Sequence, residues 1–379
     1  MYSVYFYGQM LADTPRLRAY VEALKRTVKP GAVVVDLGCG PGFFALLACQ
    51  LGARRVYAME PDNVIQVARE AAIANGCAER IEFFQGLSTE ITTSQPADIV
   101  VSDLRGVLPW YQNNIPSIID ARARLLSHSG VLIPTRDLLW ASVVEAPERY
   151  NEIVGPWERT DMDLSAAKRV VTHTWRKARI NAAQLLASPV CCYKLEYKEI
   201  ETSDLETNAL LEVNRSGTAH GFAIWFDSEL IDGVGFSNNP SEPELIYGQA
   251  FFPLPHPVAI EQGDRIELNL KANMVRGDYV WRWDTTIVAG ETLQPRASFR
   301  QSTLHGVPLS PGQLRKQSAG YKPTLTEAGQ VRSFIMETMT GDNSLEEIAT
   351  RLVERFPKRY ADWKSALDDV TEVSLEFGK

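Results

Sequence analysis

The chain has 379 residues, 45% of them hydrophobic and 23% charged, which suits two or three ordinary globular domains rather than one. Its net charge of −8 argues against a nucleic-acid partner, no apolar run approaches the roughly 20 residues of a membrane span, and Met1-Tyr2-Ser3-Val4-Tyr5 carries no secretory signal. Cys39, Cys49, Cys77, Cys191 and Cys192 form neither a disulfide framework nor a paired ligand spacing, so a cytoplasmic protein with reduced thiols and no metal site is expected.

The first third alternates β-branched apolar runs with helical periodicity, the signature of parallel βαβ units. Asp13 can cap a helix carrying Leu17, Tyr20, Val21, Leu24 and Val28 on one side. Residues 32–36 read as a buried strand, and 43–51 as a helix stopped by Gly52. A second strand covers 55–60, and Asp62 can cap a helix with Val64, Val67, Ala68 and Ala71 on one face, stopped at Gly76. Further strands are expected at 80–85, 97–103 and 130–133, spaced as in a doubly wound sheet.

After about Pro134 the period changes. Alternating stretches at 190–200, 222–226, 265–270 and 279–288 predict antiparallel β-structure, a sandwich or barrel, interrupted by helical patterns at 165–174 and 181–186. From about Gly290, Pro295, Pro308, Pro311 and Pro323 among Ser, Gly and Gln read as a linker. The end is helical: Ser344 and Glu347 form a capping box, with Ile348, Leu352 and Phe356 following on one face.

The strongest motif is Asp36-Leu37-Gly38-Cys39-Gly40-Pro41-Gly42, between a predicted strand and a helix. Its glycines permit a tight turn and close backbone approach to a ligand. The spacing is G-x-G-x-G rather than the G-x-G-x-x-G of dinucleotide sites, and Glu60 ends the next strand, placed to accept from two ribose hydroxyls.

Together these residues resemble the class I methyltransferases. The resemblance implies that Gly38, Gly40 and Gly42 pass the methionine part of S-adenosyl-L-methionine, that Glu60 holds its ribose, that Leu87 and Ser88 of Gly86-Leu87-Ser88-Thr89-Glu90 clamp its adenine, and that Asp36, Cys39 and Pro61 belong to the same cofactor site. The stretch Tyr7-Gly8-Gln9-Met10-Leu11-Ala12-Asp13-Thr14-Pro15-Arg16 looks like the N-terminal helix motif of the protein arginine N-methyltransferases. On that resemblance Arg16 binds the cofactor carboxylate and Met10 lies near the sulfonium. The similarity continues through Ala121-Arg122, Leu125-Leu126, Gly130-Val131-Leu132-Ile133-Pro134 and Gly221-Phe222-Ala223-Ile224-Trp225-Phe226-Asp227, covering about residues 5 to 290. It implies a doubly wound, Rossmann-like domain over 1–134 and a β-barrel substrate domain over 135–290 with a helical dimerisation arm at about 165–186. A linker over 291–324 and a small helical domain over 325–379 complete the chain. A homodimer acting on a protein or peptide substrate follows from the same resemblance.

Two departures concern the acceptor. The family holds the substrate guanidinium between two glutamates on one loop; here that loop reads Ser102-Asp103-Leu104-Arg105-Gly106-Val107-Leu108-Pro109-Trp110-Tyr111-Gln112, with Asp103 and Gln112 at the two positions. Asp103 and Gln112 are the expected catalytic pair, and Arg105 would repel a cationic substrate unless it points away. The family's Thr-His-Trp motif is replaced by Leu245-Ile246-Tyr247-Gly248-Gln249. Tyr5, Tyr7, Trp110, Tyr111 and Tyr247 are candidate pocket walls. The C-terminal stretch around Gly341–Ala349 resembles the small PqqD-like domains that grip precursor peptides. Methylation of a nitrogen, with arginine as leading acceptor, is the primary expectation. A small-metabolite or non-arginine acceptor and an inactive cofactor-binding scaffold are the alternatives.

Overall fold

The computed structural model describes residues 3–290, 292 and 294–378; Glu291 and Leu293, in the expected linker, and Lys379 lie outside the described residues. The chain divides into two compact units, Met1–Pro308 and Leu309–Lys379.

The first unit opens with helices α1 (Val4–Ala12) and α2 (Thr14–Thr27), and Asp13 caps α2 through the Arg16 amide as expected. Then follow β1 (Val33–Leu37), α3 (Phe43–Gln50), β2 (Arg55–Met59), α4 (Ile65–Ala74), β3 (Ile81–Phe84), β4 (Ala97–Ser102), α5 (Asn114–Arg124) and β5 (Leu126–Ile133). These five strands form a parallel sheet in the order β3-β2-β1-β4-β5. Every residue of β1 is buried, as a continuous apolar run in a sheet covered on both faces requires. The order reverses beside β1, the position at which doubly wound sheets carry ligands. Two details differ from expectation. Asp62 does not cap α4, which begins at Ile65 with Val64 at the N-cap position and no side-chain cap; the Asp62 amide donates to Glu60 instead. Strand β5 starts four residues before Gly130, at Leu126.

The second half of this unit contains β6 (Arg136–Val144), α6 (Pro147–Val154), α7 (Ser165–Val171), β7 (Arg176–Ala178), β8 (Val190–Glu196), β9 (Leu205–Glu212), β10 (Gly217–Ile231), β11 (Val234–Ser237), β12 (Gln249–Ile260), β13 (Arg265–Val275), β14 (Asp278–Val288) and β15 (Pro295–Ser302). They form two antiparallel sheets, β7-β12-β10-β6-β8 with β11 on β10, and β15-β14-β13-β9. Leu139, Phe222 and Ile224 from one and Leu268 and Trp283 from the other belong to a single apolar core, which also takes in Val33 and Val35 of β1.

Two expected boundaries move. Helix occupies only part of 165–186: α7 ends at Val171, Arg176–Ala178 pairs with Gln249–Phe251 of β12, and Ala182–Gln184 is a single 3-10 turn. The strand partner lies some 70 residues on, so local periodicity carries no trace of it. The helical insertion begins earlier, at Pro147. The linker expected from 291 includes β15, whose Ala297, Phe299 and Gln301 turn inward against β14. A proline is tolerated there because it is the first residue of an edge strand.

The second unit holds α8 (Pro311–Lys316), α9 (Glu327–Thr338), α10 (Leu345–Arg355) and α11 (Trp363–Phe377). The Ser344–Glu347 capping box is formed, and α9 to α11 enclose Val331, Ile335, Ile348, Leu352, Ala366 and Val370. No helix among the described residues is long and apolar enough to cross a membrane.

Candidate functional site

The carboxyl ends of β1, β2 and β4 meet α1 and α2 around a cleft of about 350 Å³. On one side is the turn between β1 and α3. The amides of Gly38 and Cys39 both donate to the Met59 carbonyl at 2.9 Å, tying the turn to the end of β2. Gly40 has φ +52° and Gly42 φ +88°; a Cβ on Gly40 would lie 2.6 Å from the Tyr7 ring, and one on Gly42 would lie 2.8 Å from the Ala68 side chain. Any larger residue would strain the turn and push α1 or α4 away.

Glu60, only 5% exposed, braces the same turn. Its Oε2 accepts from the Gly40 amide and its Oε1 from the Asp62 amide, each at 3.0 Å. Burial pushes its carboxyl above the usual range, against the pull of these two amides. An ionised carboxylate has about four acceptor sites, so capacity remains for two hydroxyls from the cleft. Asp36 corrects one expectation. It is 1% exposed and does not line the cleft; its Oδ2 accepts from the Ala45 amide at 2.8 Å, and it acts behind the turn by anchoring α3. Gly40 and Gly42 likewise shape the turn rather than face the cleft. Met10, Arg16, Gly38, Cys39, Glu60, Pro61, Leu87, Ser88, Asp103 and Gln112 do line it.

Where α2 meets the loop after β4 is a buried charged cluster. Arg16 Nε donates to Asp103 Oδ2 at 2.8 Å, its Nη2 makes a second bond to the same oxygen, and its Nη1 donates to the Met10 carbonyl at 3.0 Å. The Tyr247 hydroxyl lies 2.7 and 2.8 Å from the two Asp103 oxygens and accepts from Arg16 Nε at 2.9 Å. The Tyr20 hydroxyl lies 3.0 Å from Asp103 Oδ1 and 2.9 Å from the Ser102 carbonyl. Burial lowers the affinity of the Arg16 guanidinium for its proton, but Asp103, Tyr247 and Tyr20 outweigh it and hold Arg16 above its ordinary value.

Arg105 also lines the cleft, but its guanidinium is enclosed and matched by carboxylates. It is buried, donates to Asp137 at 3.2 Å, stands 3.4 Å from Asp103 and lies over the rings of Phe226 and Phe236 at 5.0 and 5.5 Å. Two arginines thus meet two aspartates, and the cluster is electrically balanced, the condition under which buried ions are tolerated.

Gln112 has φ +46°, unusual for a residue with a Cβ, and its Nε2 donates to the Tyr111 hydroxyl at 3.2 Å. Of the expected aromatic walls, Tyr7 and Tyr111 line the cleft. Tyr5 is 76% exposed, Trp110 is buried edge-on against Tyr193, and Tyr247 sits behind Asp103. In sequence Tyr20 reads only as a core position, and Phe43, Phe44, Asn113 and Ser117, which also line the cleft, carry no motif of their own. Phe43 and Phe44 directly follow the glycine turn, which is the signal that could have marked them.

The arginine methyltransferase oligomerization subdomain matches residues 135–286, and the ribosomal protein L11 methyltransferase family matches residues 16–140. The chain is 29% identical over 253 residues to a probable protein arginine N-methyltransferase 6 of Arabidopsis thaliana, covering 64% of this chain and 58% of that one. It is 28% identical over 273 residues to an arginine N(omega)-methyltransferase of Streptomyces achromogenes subsp. streptozoticus, covering 69% and 74%. Among solved structures, a chain of the Trypanosoma brucei PRMT1 enzyme–prozyme heterotetrameric complex with AdoHcy shares the fold at a TM-score of 0.71 and 21% identity, over 78% of this chain and 96% of that one. The chain therefore spans less than two thirds of the Arabidopsis relative.

Proposed function

We propose that this relative of the protein arginine N-methyltransferases is an S-adenosyl-L-methionine-dependent methyltransferase that methylates a nitrogen of a protein or peptide side chain, with arginine the leading acceptor. The observation that carries the reading is one cleft in which the glycine turn, Glu60 and the Arg16–Asp103 pair meet. The residues fit the cofactor: Arg16 is a guanidinium for its carboxylate, Gly38 and Cys39 give backbone approach, Met10 lies beside them, Glu60 and Pro61 face the ribose, and Leu87 and Ser88 the adenine.

When bound, the cofactor supplies a methyl group on a sulfonium, open to in-line displacement. The chain's own part is to hold the nucleophile close, oriented and dry. Asp103 and Gln112, on the loop after β4, hold the acceptor, the carboxylate by charge and the amide by hydrogen bonding. Tyr7 and Tyr111 exclude water. Residues 1–134 bind the cofactor, 135–290 with β15 the substrate, and 325–379 a peptide segment in the manner of PqqD-like domains. Loss of the methyl group to the acceptor would leave S-adenosyl-L-homocysteine as product. The helical insertion after β6 forms a homodimer contact in the cytoplasm.

The test is an intact-mass assay with labelled S-adenosyl-L-methionine and a panel of arginine-rich peptides. Methyl gain on arginine that Asp103→Ala abolishes is expected. No transfer, with cofactor binding confirmed in the same sample, sinks the arginine acceptor.

A second reading, a small-molecule or non-arginine acceptor, is favoured by one observation: both Asp103 oxygens already have donors, and Gln112 carries no charge.

A further inference from the structure

The Arg16–Asp103 pair poses a competition. If Arg16 takes the cofactor carboxylate, as the reading above has it, Asp103 must give up part of its strongest partner, and a buried carboxylate left short of donors is costly. The chain supplies three other candidates to hold it. Arg105 is committed to Asp137, and its Nε, 3.4 Å from Asp103, makes no hydrogen bond. Tyr20 has one hydroxyl proton and two acceptors, with the Ser102 carbonyl the nearer at 2.9 Å. Tyr247 differs. Its phenol oxygen receives the Arg16 Nε–H at 2.9 Å, so its own proton is directed at Asp103, within 2.8 Å of both oxygens.

The ring is held for this. It is 6% exposed, stacks on Phe236 at 6.0 Å and 9°, and meets Phe226 edge-on at 5.4 Å. The preceding amide, of Ile246, donates to Asp13 at 2.8 Å, so the N-cap of the helix that carries Arg16 also anchors the loop that carries Tyr247.

We propose that Tyr247 is a positioning residue that divides Arg16 between Asp103 and the cofactor carboxylate. Its hydroxyl holds Asp103 in place while Arg16 turns to the cofactor, and it shares the Arg16 Nε–H that would otherwise go wholly to Asp103. Both effects have one sign: without the hydroxyl, Asp103 competes harder for Arg16. This rests on Arg16 being the carboxylate ligand. Burial, reinforced by Asp103, pushes the Tyr247 phenol well above its ordinary value, so it stays a proton donor at any working pH.

The experiment compares two probes on the full chain, S-adenosyl-L-homocysteine and 5′-methylthioadenosine, which lacks the amino-acid carboxylate. Tyr247→Phe keeps the ring and removes only the hydroxyl. It is expected to weaken S-adenosyl-L-homocysteine by about five- to tenfold, the scale of one hydrogen bond, and to leave methylthioadenosine within about twofold. Adding Asp103→Asn, which removes the competitor, is expected to restore the loss. Tyr20→Phe, which removes a hydroxyl shared between Ser102 and Asp103 that takes no bond from Arg16 Nε, is expected to change the ratio less than Tyr247→Phe does. Equal weakening of both probes, or none, overturns the role of Tyr247. An unmodified chain that does not distinguish the probes overturns the placement of Arg16, and this proposal with it.

Discussion

Arg105 and Asp137 form an ion pair at 3.2 Å with both side chains 1% exposed, and this pair matches, with a buried carboxylate, the cation that the loop after β4 carries beside the cleft. Burial works against the charged Arg105 guanidinium, yet Asp137, Tyr20, Tyr197 and Asp103 hold its proton well above the ordinary value. Asp137 in turn accepts from the Tyr197 hydroxyl at 2.7 Å.

Breaking this pair from one side leaves a buried, unmatched charge. Arg105→Met is expected to cost roughly 3–5 kcal/mol in urea unfolding, whereas replacing both partners is far milder. The double variant Arg105→Met/Asp137→Leu therefore recovers part of the loss. A double variant no more stable than the single one would show that the charges do not act as a pair.

Asp103→Asn leaves Arg16 and Arg105 with one carboxylate fewer between them. A loss of about 3–5 kcal/mol is expected, together with loss of turnover and retained binding of S-adenosyl-L-homocysteine, since Arg16 is released rather than removed. Calorimetric titration alongside thermal unfolding checks both. Loss of cofactor binding in a folded variant would contradict the assignment.

Asp36 gives stability a pH dependence. Burial pushes its carboxyl up to about 7, relieved in part by the Ala45 amide and reinforced by Glu60. The folded chain thus keeps a proton there that the unfolded chain, with a carboxyl near about 3.9, has lost. This contribution is complete below about pH 4 and disappears as pH rises towards about 7. Asp36→Asn cannot titrate and can still accept from Ala45, so its Tm relative to the unmodified chain should rise between about pH 5 and about pH 8. A difference constant across that range would rule this out.

The helical insertion is expected to mediate dimerisation. It exposes Met162 at 76% and Trp157 at 38%, and Glu158 contacts Lys168 across its loop, so a short linker can close the gap. Replacing residues 158–170 with Gly-Ser spares the strand Arg176–Ala178 and the bond from Gln301 to Thr172. Light scattering should then report a monomer; an unchanged dimer would assign the contact elsewhere.

What the amino-acid order decided by itself is local. The glycine turn, the strand before it, Glu60 at the end of β2 and the Ser344 capping box each depend on conformations or hydrogen bonds spanning a few residues. Residue type and spacing therefore suffice to read them. Tertiary structure alone decided the rest. Arg16 meets Asp103 87 residues away and Tyr247 231 residues away, and Arg105 turns inward because Asp137, from another strand, is there to receive it. Asp36 and Glu60 look alike in sequence, as strand-end carboxylates beside a glycine turn. One is enclosed behind the turn and the other faces the cleft, and only the packing of α3 against the sheet separates them.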